Sequence, residues 1–263
     1  MGVRQAAVAG LFYSADPATL RADVKGHLAA ARPVTSLPPK ALVVPHAGLV
    51  YSGPIAGTAY RTLAPVARDI ERVVLLGPTH RIAIRGLAAP TVDRFETPLG
   101  AVTIDQVAID AVISLPQVQR RDDAHAGEHS LEVQLPFLQH LLGDFRLVPF
   151  AVGHATADEV AQVLEALWGG PETLVLISSD LSHFHDYATA RRLDGATAQS
   201  IVDLRLDGLH DDSACGRIPL GGLIRVAQRR QLRAELLDLR NSGDTAGTRD
   251  RVVGYGAFAF HAP

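Results

Sequence analysis

The sequence predicts an α/β fold in a single domain over residues 1–263, a mostly parallel sheet flanked by helices. Three observations predict it. Four short apolar, largely β-branched runs, at 41–44, 72–76, 147–152 and 173–177, read as strands buried on both faces. Helical patterns of crossover length lie between these runs, and alternation of this kind builds parallel sheets covered on both sides. No Gly/Ser linker, internal repeat or low-complexity tract divides the chain, and 263 residues with 47% hydrophobic and 20% charged content can bury one large core.

Taken in order, Asp16-Pro17 opens a helix to about residue 32, with Asp as N-cap and Pro at the first helical position, where its missing N–H costs nothing. A turn-rich connection follows over 33–39. Further helical patterns cover 54–66, 128–142, 157–168, 187–206 and 220–230. In the fourth of these, Ala190, Leu193, Ala196, Ala198, Ile201 and Val202 make a broad apolar face. Two segments depart from the alternation. Residues 87–104, with Thr97-Pro98-Leu99-Gly100 in their middle, read as an inserted hairpin. Residues 233–239 and 252–260 read as late strands joined by the polar loop 241–250, whose Gly243 and Gly247 make it the candidate for mobility.

Composition removes several function classes. A net charge of −3, with basic runs no longer than dipeptides such as Arg120-Arg121, gives no footprint for nucleic acid or an anionic membrane. One Cys excludes an intramolecular disulfide and a four-Cys zinc ribbon, and fits a reducing compartment. No apolar run approaches the roughly 18 residues of a membrane span, and Met1-Gly2-Val3-Arg4 does not read as a signal peptide. A cytoplasmic, soluble protein is expected. Against one Cys, one Met and one Trp, the 11 His raise the question of imidazole as ligand or base.

Three of the strand candidates end alike. Residues 41–44 run into Pro45-His46-Ala47-Gly48, 73–76 into Gly77-Pro78-Thr79-His80, and 174–177 into Ser178-Ser179-Asp180-Leu181-Ser182-His183. Ligands of open parallel sheets bind outside the carboxyl ends of the strands, so three His in that position converge on one cleft. Gly48 and Gly53 suit a tight turn close to a ligand, Gly57 close helix packing, and Pro78 restrains the loop aiming His80. Glu128 and His129 lie ahead of an apolar helix. They either enter the cleft to orient ligands and handle substrate, or Glu128 merely faces a helix dipole, and His125 is the weaker candidate. Cys215 precedes the helix at 220–230, where a helix N-terminus favours the thiolate that ligates metals, although a lone Cys also serves as a small buried apolar residue. Glu128-His129 lacks the His-Glu-x-x-His spacing of zinc peptidases, and Ser178-Ser179 lacks a G-x-S-x-G elbow.

In this order, Pro45-His46-Ala47-Gly48-x-x-Tyr51-Ser52-Gly53, Gly77-Pro78-Thr79-His80, Glu128-His129-Ser130-x-Glu132-x-Gln134-Leu135-Pro136, Ser178-Ser179-Asp180-Leu181-Ser182-His183 and Cys215-Gly216-Arg217-x-Pro219 resemble the Memo family, also called AmmeMemoRadiSam system protein B in prokaryotes. Ala9-Gly10-x-Phe12-Tyr13 resembles the opening of the prokaryotic members, so the likeness spans the chain. The resemblance implies the fold of class III extradiol-type non-haem iron dioxygenases. It also implies a mononuclear site in which His46, His80 and Cys215 hold iron or copper, with zinc possible. By the same resemblance His183 is the acid/base candidate and Asp180 orients it or contributes to the metal site, with Glu128 and His129 lining the cleft. Cys215 stands where the dioxygenases carry a carboxylate, and a thiolate shifts preference towards softer ions.

Two functions follow from the resemblance. One is a metal-dependent, dioxygenase-like oxidoreductase acting on an unidentified small molecule. The other is a metal-chelating or phosphopeptide-binding adaptor with a protein or peptide partner, for which Arg81, Arg85 and Arg217 are anion-binding candidates. The system name adds a radical-SAM pathway partner.

Overall fold

The computed structural model describes residues 2–31 and 37–262. Its strands are β1 (Val3–Arg4), β2 (Ala41–Val44), β3 (Arg72–Pro78), β4 (Leu87–Ala89), β5 (Arg94–Thr97), β6 (Gly100–Ile104), β7 (Val118–Arg120), β8 (Arg146–Val152), β9 (Thr173–Ser178), β10 (His183–His185), β11 (Arg233–Asn241) and β12 (Val252–His261). The helices are α1 (Pro17–Ala29), α2 (Leu49–Arg61), α3 (Gln106–Asp110), α4 (Asp123–Ala126), α5 (Leu135–Leu142), α6 (Ala157–Ala166), α7 (Tyr187–Val202) and α8 (Arg217–Arg230). All four expected buried strands form. They lie side by side as β8-β3-β9-β2, every pair parallel, with Leu76 opposite Ile177 and Val44 opposite Ser178.

Val73, Leu75, Val175 and Leu176 are fully buried, each side chain contributing about 1.5 to 3 kcal/mol by leaving water. Antiparallel β12 and β11 extend the sheet beyond β2, while β6, β5 and β1 extend it beyond β8. On one side α6 and α8 pack together, α8 also meeting β3 and β9. On the other α1, α2 and α5 pack together, and α2 meets β2 and β12.

The expected hairpin over 87–104 is real only for β5 and β6, whose ends pair at Thr97 and Gly100. Strand β4 instead pairs with β7 and β8. Asp16 caps α1 as expected, its carboxylate accepting from the Thr19 N–H at 2.7 Å, and the helix ends at Ala29 instead of about 32. The connection expected over 33–39 falls largely outside the described residues.

Two helical expectations need correction. The helix placed at 54–66 spans Leu49–Arg61, because the Tyr51 and Ser52 N–H groups bond to the Gly48 carbonyl and close a turn well before Pro54. Pro54 therefore sits inside the helix and forfeits the bond its N–H would have made. The single helix placed at 128–142 is a non-helical stretch, one 3-10 turn at Glu132–Gln134, and only then α5. Gly53 serves packing and not a ligand turn. A Cβ there would come within 2.4 Å of the His27 ring, and one on Gly57 within 2.5 Å of the His27 carbonyl, so both let α1 lie against α2.

Candidate metal centre and its cleft

Strands β2 and β3 flank β9, so their carboxyl ends deliver His46, His80 and Asp180 to one place. His46 is buried, and its backbone N–H donates to Asp180 Oδ1 at 2.7 Å. Its Nδ1 lies 2.9 Å from Ser178 Oγ. That hydroxyl already donates to the Ser130 carbonyl at 2.6 Å and accepts from Gln134 Nε2 at 2.8 Å. With its single proton spent, Ser178 can only accept from His46, which puts the imidazole hydrogen on Nδ1 and leaves the Nε2 lone pair free. Gln134 is held in turn by Tyr60, whose hydroxyl donates to its Oε1 at 2.7 Å, and by donating to the Pro45 carbonyl.

His80 is fixed by a carboxylate. Its Nδ1–H donates to Glu128 Oε1 at 2.9 Å, and its backbone N–H to Glu128 Oε2 at 2.5 Å. The backbone N–H groups of His129 and Ser130 also donate to Oε1, both at 2.9 Å. Burial pushes the Glu128 carboxyl up, but these bonds outweigh it and hold the group at about 2. Bonding to the N–H groups of residues 129 and 130 competes with helix formation here, which is why the expected helix starts late.

Cys215 completes the cluster from the loop before α8. Its sulfur lies 3.4 Å from His46 Nε2 and accepts from the Asp180 N–H at 3.3 Å. Gly216 makes this approach possible, since a Cβ there would meet Ser179 Cβ at 2.6 Å and the Ser178 carbonyl at 2.8 Å. The helix start does not produce a thiolate by itself. Burial, reinforced by the Asp180 charge, pushes the thiol up to about 12, so ionisation needs a compensating cation in the cleft.

One ligand atom from each of His46, His80 and Cys215 lies within 4.8 Å of the other two. Ligand atoms of His80, Glu128 and His129 also lie within 4.8 Å of one another. The two sets differ in what their atoms already do. Glu128 Oε1 accepts three N–H groups, whereas the two Nε2 lone pairs and the sulfur face one another with their other bonds made elsewhere. The first set is therefore the better ion cage, and Glu128 is the group that aims His80. Burial pushes His46 well below its ordinary value, and the neighbouring imidazoles add to the effect, so it stays neutral as a ligand must be.

Beside the cluster lies an open cavity of about 560 Å³ whose walls include His129, Asp180, His183, Tyr51, Tyr255 and Arg251. The His129 ring packs 4.5 Å from that of His80 and 4.6 Å from that of Phe12, and burial holds it at about 4. Asp180 is pushed up to about 7 by burial, against the backbone N–H groups of His46 and Ala47. His183 donates from Nδ1 to the Leu181 carbonyl at 2.8 Å, leaving Nε2 free, and burial lowers its pKa. Phe184 beside it is 62% exposed and has φ 64°, a left-handed conformation that a bulky side chain adopts at a cost.

The structure thus brings all seven expected site residues together. His125 lies apart, its Nε2 donating to the Ala88 carbonyl at 2.9 Å and its ring against Phe95. Arg251, which lines the cavity, carried no signal in the sequence beyond its place before a late strand. Among the arginines expected there, Arg217 pairs with Asp211 at 2.5 Å. Gln134 and Tyr60, which settle the His46 tautomer, were also missed as site residues. Gln134 was marked only as a member of the family motif, and Tyr60 only by its apolar neighbourhood. No helix among the described residues is long and apolar enough to cross a membrane.

A family profile described as Memo-like protein matches residues 4–259. A MEMO1 family protein of Ignicoccus hospitalis is 36% identical over 290 residues, covering 100% of both chains. One from Sulfolobus acidocaldarius is 33% identical over 277 residues, covering 96% of this chain and 97% of that one. One from Aquifex aeolicus is 33% identical over 268 residues, covering 97% and 98%.

Proposed function

The chain belongs to the Memo-like family, and we propose that its cleft is a mononuclear transition-metal centre serving a dioxygenase-like oxidoreductase, with His46 Nε2, His80 Nε2 and Cys215 Sγ as the protein ligands. The observation that carries this reading is the convergence of two imidazole lone pairs and a half-buried thiol within 4.8 Å, each imidazole locked in the ligand-competent tautomer by its own acceptor. Iron or copper held there would supply redox chemistry, and zinc a Lewis acid only.

The chain's own residues supply the rest. His183 Nε2, free and at the cavity wall, takes the proton of an acidic substrate hydroxyl, a task suited to a neutral imidazole. Asp180 holds the His46 backbone in place and offers a carboxyl near neutrality beside the same cavity. His129 packs against the His80 ring and fixes its tilt, and Glu128 aims His80 through Nδ1. Phe12, Tyr51 and Tyr255 give the cavity an aromatic wall for a planar substrate.

Metal analysis of untagged protein purified without chelator tests the ligand set. About one equivalent is expected, lost in Cys215→Ser and in His46→Ala. Full retention in Cys215→Ser would return the thiol to a packing role. Anaerobic iron loading followed by a catechol screen for oxygen uptake tests the reaction, and fully loaded protein without uptake would leave a metal-binding protein without turnover.

A further inference from the structure

At the opposite end of the parallel strands, about 20 Å away along β9, lies a second cavity of about 470 Å³. Lys40, the residue before β2, and Thr173, the first of β9, mark that end. Its wall is apolar, formed by Ile70, Leu174, Leu232 and the ring of Trp168, which is 7% exposed. Two cations converge on that ring. Lys40 Nζ lies 5.4 Å from its centroid and the Arg230 guanidinium 4.9 Å.

Among the described residues no carboxylate comes within ion-pair distance of Lys40 or Arg230. Lys40 gives two of its three ammonium hydrogens to the carbonyls of Gly170 and Thr173, at 2.6 and 2.5 Å, leaving one donor. Glu172, whose charge acts on Lys40, accepts the Gly170 N–H and the Thr173 hydroxyl on Oε1, at 2.9 and 2.8 Å. Among the described residues Asp69 is the one acid lining the cavity, and it is exposed. Burial lowers the Lys40 pKa to about 8, Glu172 opposes the shift, and the Arg230 charge adds to it, so the two cations repel each other across an apolar pocket.

We propose that this cavity is a second ligand site that takes a small amphiphilic carboxylate, with its apolar body against Trp168 and its head group between Lys40 and Arg230. An anion there relieves the repulsion between the cations and uses the last Lys40 donor and the planar guanidinium fork. A concave, mostly apolar pocket with a few converging polar groups is the general form of a small-molecule site. No residue of the metal cleft contributes to it.

Trp168 is the only Trp in the chain, so its fluorescence reports on this cavity alone. Octanoate, octanol and octylammonium share an apolar body and differ in head-group charge. Calorimetric titration, with fluorescence followed in parallel, should show octanoate binding once per chain at least tenfold more tightly than octanol, with octylammonium weakest. Arg230→Gln changes an exposed side chain without hydrogen-bond partners among the described residues, and should weaken octanoate at least fivefold while leaving octanol alone. Lys40→Met should do the same, provided its melting temperature is kept. His80→Ala should bind octanoate as the parent does. Equal binding of octanoate and octanol, an unchanged Arg230→Gln, a silent Trp168 signal, or loss of binding in His80→Ala would each overturn the proposal.

Discussion

Glu128 and Glu132 sit four residues apart, both fully buried and both accepting four hydrogen bonds, yet they do different jobs. Glu128 takes the Nδ1 and backbone hydrogens of His80 and the backbone hydrogens of His129 and Ser130. Glu132 takes Arg4 at 2.5 Å, the N–H groups of Ala7 and Val8 at 2.8 and 3.0 Å, and the Tyr13 hydroxyl. Burial and saturation are the same. What differs is the far side of each partner: His80 turns a free nitrogen to the cleft, whereas Arg4 spends its remaining N–H groups on backbone carbonyls, those of Gln5, His125 and Glu128, and so turns no free polar atom to the cleft. A saturated buried carboxylate therefore marks a geometry that must be held, and its partners tell whether that geometry is structural or chemical.

The sharpest break of this pair is Glu132→Gln. It leaves the buried Arg4 guanidinium without a counter-charge and turns an amide group towards N–H donors, so a loss of about 3 to 5 kcal/mol is expected in urea unfolding of the metal-free protein. Protein that still folds should bind metal normally. A cost below about 1 kcal/mol would mean the N-terminal segment docks without this pair. Glu128→Gln should do the reverse, weakening metal affinity about 10- to 100-fold with a smaller loss of stability, because His80 loses its charged orienting partner. Equal metal affinity in the two variants would erase the distinction between the glutamates. The acid limb offers a second check. Since the folded-state pKa of Glu128 is depressed to about 2, its stabilisation is complete above its ordinary value of 4.5 and is lost as pH falls towards 2.

The two glutamates also show what was legible in the sequence. The parallel strands and the three strand-end segments could be read because buried runs and chain punctuation are local signals, and the sheet rule then places His46, His80, Asp180 and His183 together. Glu128 stood out beside His129, but its helix-dipole reading fails because its bonds run to loop N–H groups and across to His80, just past the end of β3. Glu132 appeared only as a member of the family motif and without a role, since a pairing with Arg4 across 128 residues has no local signature. The start of α2 was misplaced because Pro54 reads as a helix opener, while the turn that truly opens the helix depends on the Gly48 carbonyl. Likewise Lys40, Trp168 and Arg230 meet only through the sheet that joins their segments.

The smallest effect separates scaffold from cleft by pH. Arg4 links Glu132 to His125, donating from Nε to the His125 carbonyl at 2.7 Å, so His125 belongs to the scaffold network. Its Nε2–H is committed to the Ala88 carbonyl and its Nδ1 is buried without a partner. A proton arriving at Nδ1 would have no acceptor, and the burial that lowers this pKa from 6.5 to about 4 is reinforced by the Arg4 charge. A depressed folded-state pKa means the neutral form stabilises the fold above pH 6.5, and that contribution drains away as pH falls towards 4. At pH 5 the loss from this one group is about 2 kcal/mol. His125→Gln keeps a donor for Ala88 and removes the titration, so its stability should fall less than the parent's between pH 7 and pH 5 by about that amount, measured by urea unfolding at both pH values. The difference should persist in metal-loaded protein, because the His125 side chain bonds only to the Ala88 carbonyl and touches the cleft residues only through its backbone carbonyl, which accepts the Glu128 N–H. If metal abolished it, the scaffold and cleft networks would be one electrostatic unit and the contrast between the two glutamates would be one of degree.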